Sequence, residues 1–133
     1  MVSELKINSK RSRSKKQRTY LCPTEDISEN SARGFEDNGK SIFVVRQAGI
    51  FYIYLNRCPH TGTELNWSPN VFLTRDTALI ICSTHGALFL KNSGLCVGGP
   101  CQGSSLKSLP FIIEGGGIYL LNYSSNTDTI PQN

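Results

Sequence analysis

The chain is 133 residues long, 38% hydrophobic and 18% charged, enough apolar material for one domain with a modest core and too much for disorder throughout. Its longest apolar run falls far below the roughly 18–20 residues of a membrane helix, and its polar, basic start lacks the apolar stretch of a secretory signal, so a cytoplasmic location is the expectation. The net charge of +4 is unevenly spread: residues 1–19 carry Lys6, Lys10, Arg11, Arg13, Lys15, Lys16 and Arg18 against Glu4 (+6), and residues 20–133 carry seven basic against nine acidic side chains (−2).

Residues 1–19 have no apolar periodicity and read as a disordered basic tail. No aromatic residue interleaves their charges, which weighs against nucleic-acid binding. Order is expected from Tyr20. "TYLCP" reads as a strand stopped by Pro23, and "TEDISENS" as a polar turn or a single helical turn. Asn38-Gly39 between "ARGFED" and "KSIFVV" is a hairpin signal. A second hairpin follows, with strands Ile42–Arg46 and Ile50–Leu55 around Ala48-Gly49. Further strands are expected over Ala78–Cys82 and Ala87–Leu90, with "KNSG" as a turn and "LCVGGPCQG" as a Gly/Pro loop. A last hairpin turns at "EGGG", and residues 124–133 form a flexible C-terminal tail. Seven to nine short strands with regular turn signals and no amphipathic helix predict an all-β, antiparallel sandwich or barrel over residues 20–123.

The chain owns two histidines, and each stands beside a cysteine: Cys58-Pro59-His60 and Cys82-Ser83-Thr84-His85. A strand precedes each pair, and Gly62 and Gly86 follow. Two thiolates and two imidazoles suit zinc or an iron–sulfur centre. Zinc fingers usually group two cysteines at one end and two histidines at the other, whereas here each loop contributes one of each. A cluster of two unlike irons explains that arrangement, with Cys58 and Cys82 on one iron and His60 and His85 on the other.

"CPHTG…CSTHG" resembles the C-x-H…C-x-x-H-G signature of Rieske [2Fe-2S] proteins, over roughly Tyr20 to Asn122. The resemblance implies a Rieske-like antiparallel β-sandwich with a small cluster-binding subdomain. It implies one [2Fe-2S] cluster held by Cys58, His60, Cys82 and His85, and no residue with a catalytic role. Gly98-Gly99-Pro100 resembles the family's proline loop, which covers the cluster and limits water access. The 21 residues between His60 and Cys82 are more than the family usually shows. Thr63 and Thr84 stand where quinol-oxidising relatives carry a disulfide. Ala87 and Phe89 replace the hydroxyl donors that raise the potential in those relatives, which predicts a potential near the lower end of the range, about −150 mV rather than +300 mV.

Of the remaining cysteines, Cys22 is expected to be buried and inert in the first strand. Cys96 and Cys101 flank the proline loop, where they could cap it, pair reversibly or simply pack; packing is the expectation. No histidine follows His85 to hold the separate iron of a ring-hydroxylating oxygenase. The implied function is a Rieske-type ferredoxin carrying single electrons between a reductase and an oxygenase or other oxidoreductase. Trp67, Pro59 and Pro100 would border its docking surface. The alternatives are a non-catalytic small subunit of a larger reductase, like those of nitrite reductases, and a zinc-stabilised interaction domain.

Overall fold

Two Asx/Ala-Gly turns set the first half of the fold in the computed structural model, which describes residues 16–123. β2 (Ser31–Asp37), β3 (Lys40–Gln47) and β4 (Ile50–Leu55) form one antiparallel sheet. Asn38 and Gly39 join β2 to β3 with φ of 55° and 77°, and Ala48 and Gly49 join β3 to β4 with φ of 55° and 76°. Positive φ at both central residues gives the turn whose twist matches a hairpin. Alanine resists that conformation. The Glu29 carboxylate compensates by accepting from the backbone N–H groups of both Ala48 and Gly49. Ile42, Phe43, Val44 and Val45 are all fully buried, so both faces of β3 are covered.

The chain divides into two compact units. One contains residues 16–22 and 110–123 of the described chain. Its sheet has the order β1 (Lys16–Pro23), β9 (Gly117–Tyr123), β8 (Phe111–Glu114). β1 starts at Lys16 and not at the expected Tyr20, so the segment read as tail is shorter than 1–19. The reason is pairing rather than periodicity. Lys16–Arg18 lacks apolar residues, but it lies in a strand beside β9, where Arg18 stacks 4.4 Å over the Tyr119 ring and pairs with Glu114. Cys22 is buried in β1, as expected. The expectations for residues 1–15 and 124–133 lie outside the described residues.

The other unit, residues 23–109, opens with a 3-10 turn at Thr24–Asp26 and holds two sheets. Beside β2–β3–β4 is a small antiparallel sheet of β5 (Ile80–Ile81), β6 (Leu88–Phe89) and β7 (Cys96–Gly98). β5 and β6 are shorter than the sequence predicts, because the flanking residues make loop hydrogen bonds instead of ladder ones: Cys82 N–H to Ala87 O at 2.9 Å and Leu90 N–H to Leu95 O at 2.9 Å. β7 lies inside the stretch expected to be loop; it pairs with β6 across a register shift at Leu88/Phe89. One buried cluster joins the two sheets, with Phe43, Val45 and Tyr54 from the larger, and Ile80, Phe89 and Cys96 from the smaller.

The long segment between the two motifs is anchored in that cluster at both Leu65 and Phe72. Phe72 stacks on Phe43 with centroids 4.4 Å apart and planes 7° from parallel. The segment then turns at Thr74–Leu79, where Asp76 Oδ1 accepts from the Thr74 hydroxyl at 2.7 Å and the Ala78 N–H at 3.0 Å. This delivers Ile80 to β5, and β5 delivers Cys82. Among the described residues no helix is long and apolar enough to cross a membrane.

Candidate metal centre

Two loops of one backbone design carry the Cys/His pairs. In the first, Cys58 N–H donates to Thr63 O and Gly62 N–H donates to Cys58 O, both at 2.8 Å. In the second, Cys82 N–H donates to Ala87 O at 2.9 Å and Gly86 N–H donates to Cys82 O at 2.8 Å. Gly62 and Gly86 close these loops at φ of 78° and 72°, a conformation that a side chain resists. The tight turn folds each loop back over its cysteine. Cys58 and Cys82 are therefore buried, while His60 and His85, two and three residues on, stand exposed.

The loops meet. The Cys82 side chain lies near enough to Cys58 to help lower its thiol. The His60 and His85 rings lie side by side, centroids 5.7 Å apart and planes at 70°. Ser83 N–H donates to Leu65 O at 2.8 Å, a backbone tie between the second loop and the exit of the first. Thr63 and Thr84 carry no staple, and this tie joins the loops instead. Among the described residues no three His, Cys, Asp or Glu side chains converge on a single ion position.

Burial pushes the Cys58 thiol up, but several donors outweigh it and leave it below the ordinary thiol value. They are the backbone N–H groups of Thr61 and His60 and the side chains of Thr61 and Cys82. Convergent donors of this kind favour a sulfur carrying negative charge. Thr61 is a residue the sequence reading missed. The positions after the second His-Gly, Ala87 and Phe89, are buried and apolar, and the hydroxyl stands instead beside the first histidine.

Asn56 was missed as well. It is buried at the end of β4, two residues before Cys58. Its amide donates to Ser41 Oγ at 3.0 Å and Asn66 Oδ1 at 2.9 Å, and its Oδ1 accepts from Leu65 N–H at 2.8 Å. It thereby fixes both ends of the first loop. A polar residue closing an apolar strand directly before a ligand motif is the signal that marks it.

A third side of the site is the turn after β7. Gly99 lies against the second loop, for a Cβ built on it would stand 2.8 Å from Ala87 Cα. Pro100 is exposed, and Cys101 is buried. The burial of Cys101, its contact with Cys96, and the nearby charge on Cys96 and then Cys58 push its thiol up to about 12. On the other flank, beside His60, is an open hollow of about 460 Å³ lined by Leu55, Arg57, Pro59, Thr61, Ser105 and Lys107 among others.

The Rieske [2Fe-2S] domain profile matches residues 17–111. The chain belongs to the Rieske [2Fe-2S] domain family. No curated protein sequence matches it. Solved Rieske-type structures share its fold. A structure of the reduced complex between oxygenase and ferredoxin in carbazole 1,9a-dioxygenase matches with a TM-score of 0.66 and 19% identity, over 78% of this chain and 28% of that one. The terminal oxygenase of carbazole 1,9a-dioxygenase from Novosphingobium sp. KA1 matches with a TM-score of 0.63 and 22% identity, over 77% of this chain and 29% of that one. The ferredoxin of carbazole 1,9a-dioxygenase from Nocardioides aromaticivorans IC177 matches with a TM-score of 0.60 and 19% identity, over 77% of this chain and 96% of that one. The Rieske chain thus spans less than a third of the first and second of these chains and nearly the whole of the third.

A Rieske domain takes a [2Fe-2S] cluster. The chemistry of the donors present suits that group: two buried thiols on facing loops and two exposed imidazole rings beside one another.

Proposed function

We propose that this Rieske domain is a ferredoxin that passes single electrons between a reductase and an oxygenase or another oxidoreductase. Cys58 and Cys82 would hold one iron of its cluster, and His60 and His85 would hold the other. The observation that carries the reading is the split between the pairs, with both sulfurs buried and both imidazoles exposed on two loops of matching hydrogen-bond pattern. The cluster, when bound, supplies one-electron chemistry. The protein's own residues do the rest. The Thr61 and His60 N–H groups stabilise charge on the Cys58 sulfur. The Gly99 turn shields the second loop from water. The exposed imidazole edges give a partner its shortest approach.

Arg57 and Lys107, both exposed on the hollow beside His60, make this flank electropositive. A partner would therefore seat an acidic segment here, in the small, weak contact typical of redox encounters. The expected location is the cytoplasm.

The test is spectroscopic and chemical. Anaerobically purified protein should be coloured, contain iron and acid-labile sulfide in equal amounts, and give the paramagnetic resonance of a Rieske centre once reduced. Cys58→Ser and Cys82→Ser should lose the iron. His60→Cys and His85→Cys should retain colour with a changed spectrum. Colourless protein holding zinc would establish the interaction-domain alternative. A protein that is coloured but purifies only within a larger reductase would establish the subunit alternative.

A further inference from the structure

Cys96 and Cys101 belong to neither ligand pair, and they face one another. Cys96 opens β7, and Cys101 lies beyond the Gly99-Pro100 turn. The Cys101 thiol donates to the Cys96 sulfur at 2.7 Å, and the Cys96 thiol in turn donates to Gly98 O at 3.1 Å. Both are almost wholly buried, at 2% and 4% exposure. Packing alone does not require two sulfurs to point at each other; two hydrophobes could fill the same space. Cysteines brought this close need only small movement to reach the sulfur–sulfur bond length of about 2.05 Å.

The backbone around them is a fixed clasp with one loose side. Cys96 N–H donates to Ser104 O at 2.8 Å, and Ser104 N–H donates to Cys101 O at 2.8 Å. These bonds hold both cysteines in register. The turn over them is held by longer bonds, Gln102 N–H to Gly99 O and Gly103 N–H to Cys96 O, each at 3.3 Å. Gly99, Pro100, Gln102 and Gly103 are all exposed. Opening this short turn admits a small oxidant without unfolding the sheet.

We propose that Cys96 and Cys101 are a dithiol that a hydroperoxide converts to an intramolecular disulfide. The geometry orders the steps. Cys101 is the hydrogen-bond donor, so Cys96 is the sulfur that attacks the peroxide. Its S–H becomes a sulfenic acid as the O–O bond breaks and the hydroperoxide leaves as an alcohol, or as water from hydrogen peroxide. The Cys101 sulfur then displaces the hydroxyl from Cys96. The S–S bond forms, and the Cys101 proton leaves with that hydroxyl as water. One hydroperoxide is reduced by two electrons, and two thiols are oxidised to one disulfide. A dithiol such as dithiothreitol reverses the change by exchange. The product closes a ring from Cys96 to Cys101 around Gly99, and so pins the turn that lies against Ala87.

Peptide mapping of the intact, cluster-loaded protein tests the pair without reference to electron transfer. Reduced protein is freed of reductant, treated with hydrogen peroxide, denatured, alkylated and cleaved with trypsin. Cleavage after Lys91 and Lys107 gives a peptide, Asn92–Lys107, that holds Cys96 and Cys101 and no other cysteine. Before oxidation it should accept two alkyl groups. After oxidation it should accept none and weigh two hydrogens less, and dithiothreitol should restore the first state. In Cys101→Ser, dimedone should trap a sulfenic acid at Cys96. The proposal fails if the wild-type peptide still takes two alkyl groups in excess peroxide, if it ends as sulfinic acid, or if Cys101 becomes joined to the Cys58 peptide. Because Asn92–Lys107 contains neither Cys58 nor Cys82, failure here leaves the ligand assignment standing, and the converse holds.

Discussion

Gly99 and Ala87 touch through their backbones: a Cβ on Gly99 would lie 2.8 Å from Ala87 Cα and 3.4 Å from Ala87 N. Real Cβ atoms do not come that close to backbone, so the turn after β7 packs on the second ligand loop only because residue 99 has no side chain. Gly99 also has φ of 89°. Gly103, in the same turn, has φ of 97° but open space around it. Gly103→Ala should therefore cost the conformational strain alone, about 1–3 kcal/mol. Gly99→Ala should cost more, since the turn must also lift off the loop. Urea midpoints of the two variants make the comparison, and equal losses would show that the contact with Ala87 contributes nothing.

Tyr54 stands in the core with its hydroxyl on Lys91 O at 2.8 Å. Burial, with a smaller effect of Tyr52, pushes its phenol from 10.0 up to about 12. The unfolded chain releases this proton first as pH rises. Between pH 10 and 12 the folded state therefore holds more protons, and folding stability falls as pH rises, by up to about 1.4 kcal/mol per pH unit. Below pH 10 this group contributes no pH dependence. Tyr54→Phe should flatten that part of the alkaline limb relative to wild type, at a cost of about 1 kcal/mol at neutral pH for the lost hydrogen bond. Chemical unfolding at a series of pH values between 8 and 12 measures both.

Why the two hairpins of the larger sheet were readable is now physical. Asn38-Gly39 and Ala48-Gly49 are short-range signals, and their positive φ values are satisfied locally. The Cys/His loops were readable because Cys and His paired twice at close spacing form a short-range pattern that stands in the sequence itself. β7 was not, because Gly98 and Gly99 erase the side-chain alternation that marks a strand and the pairing with β6 is non-local. The start of β1 was hidden for the same reason, since a basic segment becomes a strand only beside β9. Leu90–Leu95 shows a further limit. Leu90 N–H donates to Leu95 O and Gly94 N–H donates to Leu90 O, both at 2.9 Å, with Gly94 at φ of 78°. This is the backbone design of both ligand loops, repeated a third time with no Cys or His in it. The turn at "KNSG" was legible in the sequence, but its kinship with the Cys/His loops was not, because it carries no Cys or His; its Lys91 carbonyl receives Tyr54.

The hollow beside His60 gives a salt-dependent prediction. Arg57 and Lys107 are exposed, and their field should steer an acidic partner toward the imidazoles. The double variant Arg57→Glu/Lys107→Glu should fold normally, since neither side chain is buried. Its second-order rate of electron transfer with the cognate partner should fall about tenfold at low ionic strength. The difference should shrink as salt shortens the Debye length to about 8 Å at 0.15 M. Stopped-flow reduction across an ionic-strength series reads this directly. A faster double variant would mean the partner presents a basic face here.

Thr61 supplies the site's hydroxyl. Its Oγ1 lies 2.7 Å from Thr63 Oγ1 and also accepts from Thr63 N–H at 3.3 Å, and its side chain is among the groups that hold the Cys58 thiol below its ordinary value. A donor to a ligand sulfur stabilises the more negative, reduced cluster and raises its potential. Thr61→Val removes the hydroxyl at nearly constant volume and should lower the potential. If the bond strengthens by about 1 kcal/mol on reduction, the shift is on the order of 40 mV. Thr61→Ser keeps the hydroxyl and should stay near wild type. Voltammetry of both variants separates hydrogen bonding from packing: an equal shift in valine and serine would assign the effect to disturbed packing rather than to the hydroxyl, and no shift in valine would remove Thr61 from the set of groups that tune the centre.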